Sequence, residues 1–143
     1  MSEQTYATHR RLVPLYHVWL SLLILATLIG AAVNLAKSIG TPGLYSASLI
    51  VALSIACVGL YIFCRTFALR AQDRAIRAEE QLRHYVLAGK LLDSRLTVKQ
   101  IVGLRFASDA EFVALAQRAA EQSMEPDAIK KAVTKWRADT YRA

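Results

Sequence analysis

Charged side chains are missing from two long stretches of this chain. Leu12 to Ala36 carries no Asp, Glu, Lys or Arg, and neither does Ser38 to Cys64; Lys37 alone separates the two runs. An apolar run of roughly 18 residues or more is the signature of a bilayer span, because a helix rises about 1.5 Å per residue and the hydrocarbon is about 30 Å thick. Backbone polar groups find no water there, so both runs are expected to be helical throughout. Catalytic constellations are equally absent. There is no glycine-rich phosphate loop, no Ser-His-Asp order and no His/Cys metal cluster, which leaves nothing for the usual active-site roles and argues against an enzyme. No catalytic, cofactor-binding or metal residue is assigned. The two cysteines, Cys57 and Cys64, stand seven apart on one helix face. The helical rise separates them by about 10 Å, which excludes a disulfide between them, and they lack metal-ligand spacing. Cys64 sits where palmitoylation is conceivable, but a small apolar residue is the plainer reading.

What is present is unevenly placed. Only Arg10, Arg11 and Lys37 of the 18 basic residues, and only Glu3 of the 11 acidic ones, precede Arg65. The expected organisation is a short cytoplasmic N-terminus over 1–13, a two-helix hairpin over 14–64 with spans at about 15–36 and 44–64, and a tail over 65–143. A cleaved signal peptide is the rival account of the first run, since His9, Arg10 and Arg11 precede it. Its apolar core of about 22 residues exceeds the 7 to 15 of such a segment, and a second span follows at once.

Positive charge sets the orientation. Arg10 and Arg11 precede the first span, Arg65, Arg70, Arg74 and Arg77 follow the second, and the loop Lys37–Gly43 holds one lysine. The positive-inside rule places both termini in the cytoplasm. The four later arginines are candidates for contact with lipid headgroups. Tyr16, Trp19, Tyr61, Phe63 and Phe67 fall where interfacial aromatics belong. For packing within the membrane, Ala26 and Gly30 on one span and Ser48, Ala52, Ala56 and Gly59 on the other offer small-residue faces. They suit a hairpin within one chain or a homodimer. His17 and Asn34 are the remaining strongly polar groups in the spans; a lone His near the interface reads as structural.

Beyond the second span, Arg65 to Leu87 contains neither Gly nor Pro and is rich in helix formers, with Gly89 as a stop. A continuous helix from Leu44 to Ala88 would be about 67 Å long. Cys64, Ala68, Ala71, Ala75, Ala78, Leu82 and Tyr85 alternate in spacings of four and three, a heptad seam made mostly of alanine. It offers a packing or dimer surface, either to a second copy or to the tail's own later helices. Thr97 with Gln100 and Ser108 with Glu111 are capping boxes, and Pro126 opens a third segment. Helices are expected at about 97–106, 108–122 and 126–140, burying Phe106, Phe112 and Trp136. Glu79 and Glu80 read as partners for Arg83, and His84 as a surface residue.

The segments Ala78-Glu79-Glu80-Gln81-Leu82-Arg83-His84-Tyr85, Arg95-Leu96-Thr97, Leu104-Arg105-Phe106-Ala107-Ser108-Asp109, Ile129-Lys130-Lys131-Ala132 and Trp136-Arg137-Ala138-Asp139 resemble an uncharacterised family of small bacterial two-span membrane proteins with a helical cytoplasmic tail. The resemblance implies an all-α architecture: a transmembrane hairpin whose second span continues into a long cytoplasmic helix, followed by three short tail helices. It also implies a bacterial inner-membrane location, and it supplies no catalytic residues. The function expected is a non-enzymatic accessory or scaffold protein, with the lipid bilayer and a protein partner or second copy as its contacts. The competing reading is a tethered nucleic-acid binder. From Arg65 on, 15 basic residues face 10 acidic ones, a net +5, and Lys130, Lys131 and Lys135 would lie on or beside the recognition helix of a helix-turn-helix. Against it, Ser123 stands where glycine is usual, and Glu125 and Asp127 would point toward the DNA.

Overall fold

The structure, a computed structural model, describes residues 5–8 and 12–139. Among these residues it is all-helical, with five α-helices and no strand: α1 (Ser21–Ser38), α2 (Leu44–Ala88), α3 (Val98–Leu104), α4 (Asp109–Glu121) and α5 (Pro126–Ala132). A π-helical stretch, Leu15–Leu20, leads directly into α1. The chain divides into two compact units. One is Leu12–Phe67; the other joins the N-terminal residues to the chain from Ala68 on.

In the first unit two apolar helices lie side by side. Each is long and apolar enough to cross a membrane. The contact runs through Ala31 and through Ala47 and Ser54, which are the buried residues of this unit. The small-residue faces expected from the sequence lie mostly elsewhere: Ala26, Gly30, Ser48, Ala52 and Ala56 are exposed, and Gly59 is half-buried. Close approach needs small side chains, but several helix faces here offer them, and polar contacts decide which one is used. Tyr16 Oη donates to the Tyr61 carbonyl at 2.8 Å, the two rings stack at 4.6 Å, and Ser21 Oγ lies 2.8 Å from Tyr61 Oη. These bonds join the Tyr16 and Tyr61 faces of the two helices.

The second unit packs its large apolar side chains into a core. Phe106, Phe112, Ile101, Leu104 and Ile129 are its largest fully buried side chains. Both expected capping boxes are made. Thr97 accepts from Gln100 N at 3.3 Å while Gln100 Oε1 accepts from Thr97 N at 2.7 Å; Glu111 Oε1 accepts from Ser108 N at 3.3 Å. Gln100 then reaches on, donating through Nε2 to the Met124 carbonyl at 2.9 Å. At Gly103 a Cβ would meet the Pro126 carbonyl oxygen at 3.1 Å, so glycine lets α3 and the start of α5 approach closely. At the end of α4, Ser123 takes a left-handed φ of 48° and Met124 N donates to the Ala119 carbonyl at 3.0 Å, a Schellman-type stop.

The third tail helix ends earlier than expected, at Ala132 rather than near 140. Val133 and Thr134 are β-branched and favour extended backbone. Glu111 also draws them away, accepting from Thr134 N and Lys135 N, each at 3.1 Å. The chain then runs extended, and Trp136 bridges antiparallel to Ala107. Trp136 is core material as expected, tilted against Phe106 at 4.8 Å, but it arrives from this extended segment and not from a helix face.

Candidate docking surface

The second half of α2 presents two opposite faces, and they behave differently. Ile76, Glu80 and His84 are buried, and Arg83 keeps only 10% of its side chain exposed. The Arg83 guanidinium organises this side. It donates to Glu80 Oε2 at 3.0 Å, to Asp109 Oδ1 at 2.7 Å and to the Ala107 carbonyl at 2.7 Å, and it lies 4.2 Å from the Phe112 ring centroid. His84 is therefore a core residue, not the surface residue its isolation in the sequence suggested. Gly89, at φ 67°, reverses the chain so that the Lys90 carbonyl accepts from His84 Nδ1 at 2.7 Å, while the imidazole meets Phe112 edge-on. Glu80 and Arg83 pair as the spacing implied; Glu79 stays exposed.

Roughly half a helical turn away lies the alanine seam. Ala68, Ala71, Ala75, Ala78, Leu82 and Tyr85 are all exposed, so the later helices pack on the face opposite it. Leu82 is 64%, Tyr85 55% and neighbouring Val86 75% exposed, high values for large apolar groups. Among the arginines expected near headgroups, Arg70, Arg74 and Arg77 are exposed and Arg65 is half-buried. Arg10 and Arg11 lie outside the described residues.

The lysines of the nucleic-acid reading are only partly brought together. Lys131 pairs with Asp127 at 3.0 Å and sits over the Tyr6 ring, and Tyr6 Oη donates to the same carboxylate at 2.8 Å. Lys131 pulls the Asp127 carboxyl below its usual range, with Tyr6 adding to the effect. Lys130 is half-buried, and Lys135 is exposed on the extended segment beyond α5. A second ionic cluster was not visible in the sequence. Arg105, nearly buried, stacks 4.6 Å from the Phe106 centroid and pairs with Asp139 at 3.1 Å. Gln72, Ala75, Glu79, Glu80, Arg105 and Arg137 are among the residues lining a mixed-charge cavity of about 320 Å³. Its opposite charges are balanced against one another, which suits structure better than capture of an ion. Among the described residues no group of acidic, His or Cys side chains could hold a metal.

A family model, described as a family of unknown function (DUF6526), matches residues 1–143. The chain belongs to that family. No curated protein matches the chain, and no solved structure matches it. The DUF6526 description assigns no activity, so function must be argued from the surfaces just described.

Proposed function

We propose that this DUF6526 protein is a non-enzymatic accessory or scaffold protein of the bacterial inner membrane, anchored by two spans with both termini cytoplasmic. On this reading the second span continues into a cytoplasmic helix, and the tail domain docks on a protein partner. One observation carries the membrane part. The most apolar windows of the two candidate spans are only 6% and 11% buried, whereas the core helix of a soluble protein would be mostly buried. Leu23 at 63%, Leu53 at 66% and Leu60 at 62% exposure belong to an apolar surface that runs along both helices, which is ordinary against lipid. The Tyr6–Asp127 hydrogen bond supports an even number of spans, because it joins a residue before the first to a residue of the tail. The loop between the spans is short, leaving the tail as the surface for a partner.

Cysteine-accessibility labelling tests the topology. Thr41→Cys should label from outside and Arg10→Cys from the cytoplasm; the reverse would overturn the orientation. Pulldown from native membranes with nuclease treatment should retain a stoichiometric protein partner. The nucleic-acid alternative has one observation in its favour, the left-handed Ser123 in the α4–α5 turn. However, α5 has only seven residues, and Asp127 already holds Lys131. Sequence-specific DNA retention lost on Lys130→Ala with Lys131→Ala would establish that alternative and displace the first.

A further inference from the structure

We infer that the uncovered face of α2 between Ala68 and Val86 is a self-association surface on which two copies pair as parallel helices. The inference rests on the membrane-anchored reading, since insertion in one membrane with one orientation makes the α2 helices of two copies run the same way.

The heptad assignment follows from the spacing. Ala68, Ala75 and Leu82 occupy the a positions; Ala71, Ala78 and Tyr85 occupy d. All six are exposed, and among the described residues the tail packs mainly on the other side of the helix, reaching the seam's flanks at the cavity beside Ala75 and Glu79 and at Gln81, which accepts from Leu92 N at 3.0 Å. Alanine at four of the six positions permits close approach of two backbones, and Leu82 and Tyr85 supply apolar area at one end.

The flanking charges identify the occupant. Arg74 falls at g and Glu79 at e. In a parallel pair, g of one helix meets e of the following heptad on the other, five residues on, which sets Arg74 against Glu79 of the second copy. Two-fold symmetry makes the pair twice. In an antiparallel pair g would face g and e would face e, and neither charge would meet its opposite. Both side chains are exposed, and neither joins an ion pair among the described residues. A face that carries opposite charges at the spacing of its own parallel partner fits a second copy of this chain better than an unrelated helix. Membrane confinement raises the effective concentration, so a seam of modest area suffices.

Disulfide crosslinking of the full-length protein in membranes tests this. In a background with Cys57→Ala and Cys64→Ala, Leu82→Cys should give a dimer on mild oxidation, as should Ala78→Cys. Arg77→Cys, exposed at position c, should not. Adding Arg74→Glu or Glu79→Arg to Leu82→Cys should cut the dimer yield about threefold or more by setting like charges together, and the two changes combined should restore it. Equal crosslinking at Leu82→Cys and Arg77→Cys, no recovery in the double reversal, or adducts only with another protein would each overturn the inference. An alkaline wash separates the two proposals. Protein that stays in the membrane yet remains monomeric with both seam cysteines defeats self-association alone; protein that washes off removes the membrane reading and the parallel pairing together.

Discussion

The hairpin and the tail domain are built from similar helices, yet they handle apolar surface in opposite ways. Over Leu12–Phe67 large side chains such as Leu23, Leu53 and Ile55 stand exposed, and the buried residues are Ala31, Ala47 and Ser54. In the tail the bundle of α3, α4 and α5 takes its large groups inside: Phe106, Phe112, Leu104 and Ile129 are fully covered, while Leu82, Tyr85 and Val86 of α2 stay exposed. The difference is the one that the proposed membrane anchoring requires. Burying leucine yields little where the surroundings are as apolar as leucine, so helices there meet through small residues and hydrogen bonds. In water, burial of large apolar groups dominates.

The sharpest way to break this comparison is to truncate one large side chain in each half. Phe112→Ala should cost the tail about 3–5 kcal/mol, whereas Leu53→Ala should change hairpin stability by about 0.5 kcal/mol. Denaturation in detergent, followed by Trp136 fluorescence with Trp19→Phe and by helicity, would measure both; similar losses would mean that the hairpin is a water-type core. Next in size is Arg83. Arg83→Met leaves Glu80 buried with the more distant Arg137, 3.7 Å away, as its ion-pair partner among the described residues, and should cost about 3 kcal/mol. Arg83→Lys should recover little, because an ammonium cannot reach Glu80, Asp109 and the Ala107 carbonyl at once. Full recovery would reduce Arg83 to a point charge.

A smaller effect of opposite sign is expected at Ser123. Its left-handed φ suits glycine, so Ser123→Gly should stabilise the tail by about 1 kcal/mol in the same assay. A loss would show that the serine side chain has a use beyond the turn.

The smallest effect comes with acid, and it too separates the halves. Partial burial pushes the Glu111 carboxyl up, but hydrogen bonds from Thr134, Lys135 and Ser108 outweigh it and hold the group below its ordinary value. Asp93 is held at about 2 by the Arg95 side chain and backbone. A group whose value is lowered by folding stabilises the fold above its unfolded value, and that contribution disappears as pH falls through the folded one. Tail stability should therefore decline below about pH 4.5 toward pH 2. Glu111→Gln should flatten part of that decline. Leu12–Phe67 contains no acidic residue, so the hairpin should not respond. An equal response from both halves would contradict this assignment.

Local signals in the sequence were enough for much of this. Two uncharged runs mark the apolar helices, and Thr97 with Gln100, Ser108 with Glu111 and Pro126 mark the three tail starts, because a capping interaction lies within four residues of itself. The alanine seam was legible as a heptad for the same reason. Whether the tail would cover it was not. Both faces of α2 beyond Ala68 are plausible packing surfaces, and the choice fell to Arg83 and His84 through bonds to Ala107, Asp109 and Lys90, which chain spacing alone does not place. The early end of α5 has the same origin: nothing near Ala132 stops a helix outright, but Glu111, more than twenty residues earlier, captures the amides of Thr134 and Lys135. Helix starts, stops set by glycine and the apolar runs are written in neighbouring residues, so the sequence by itself determined them. Which faces meet depends on side chains distant in the chain competing for the same polar groups, and only the tertiary structure decided that.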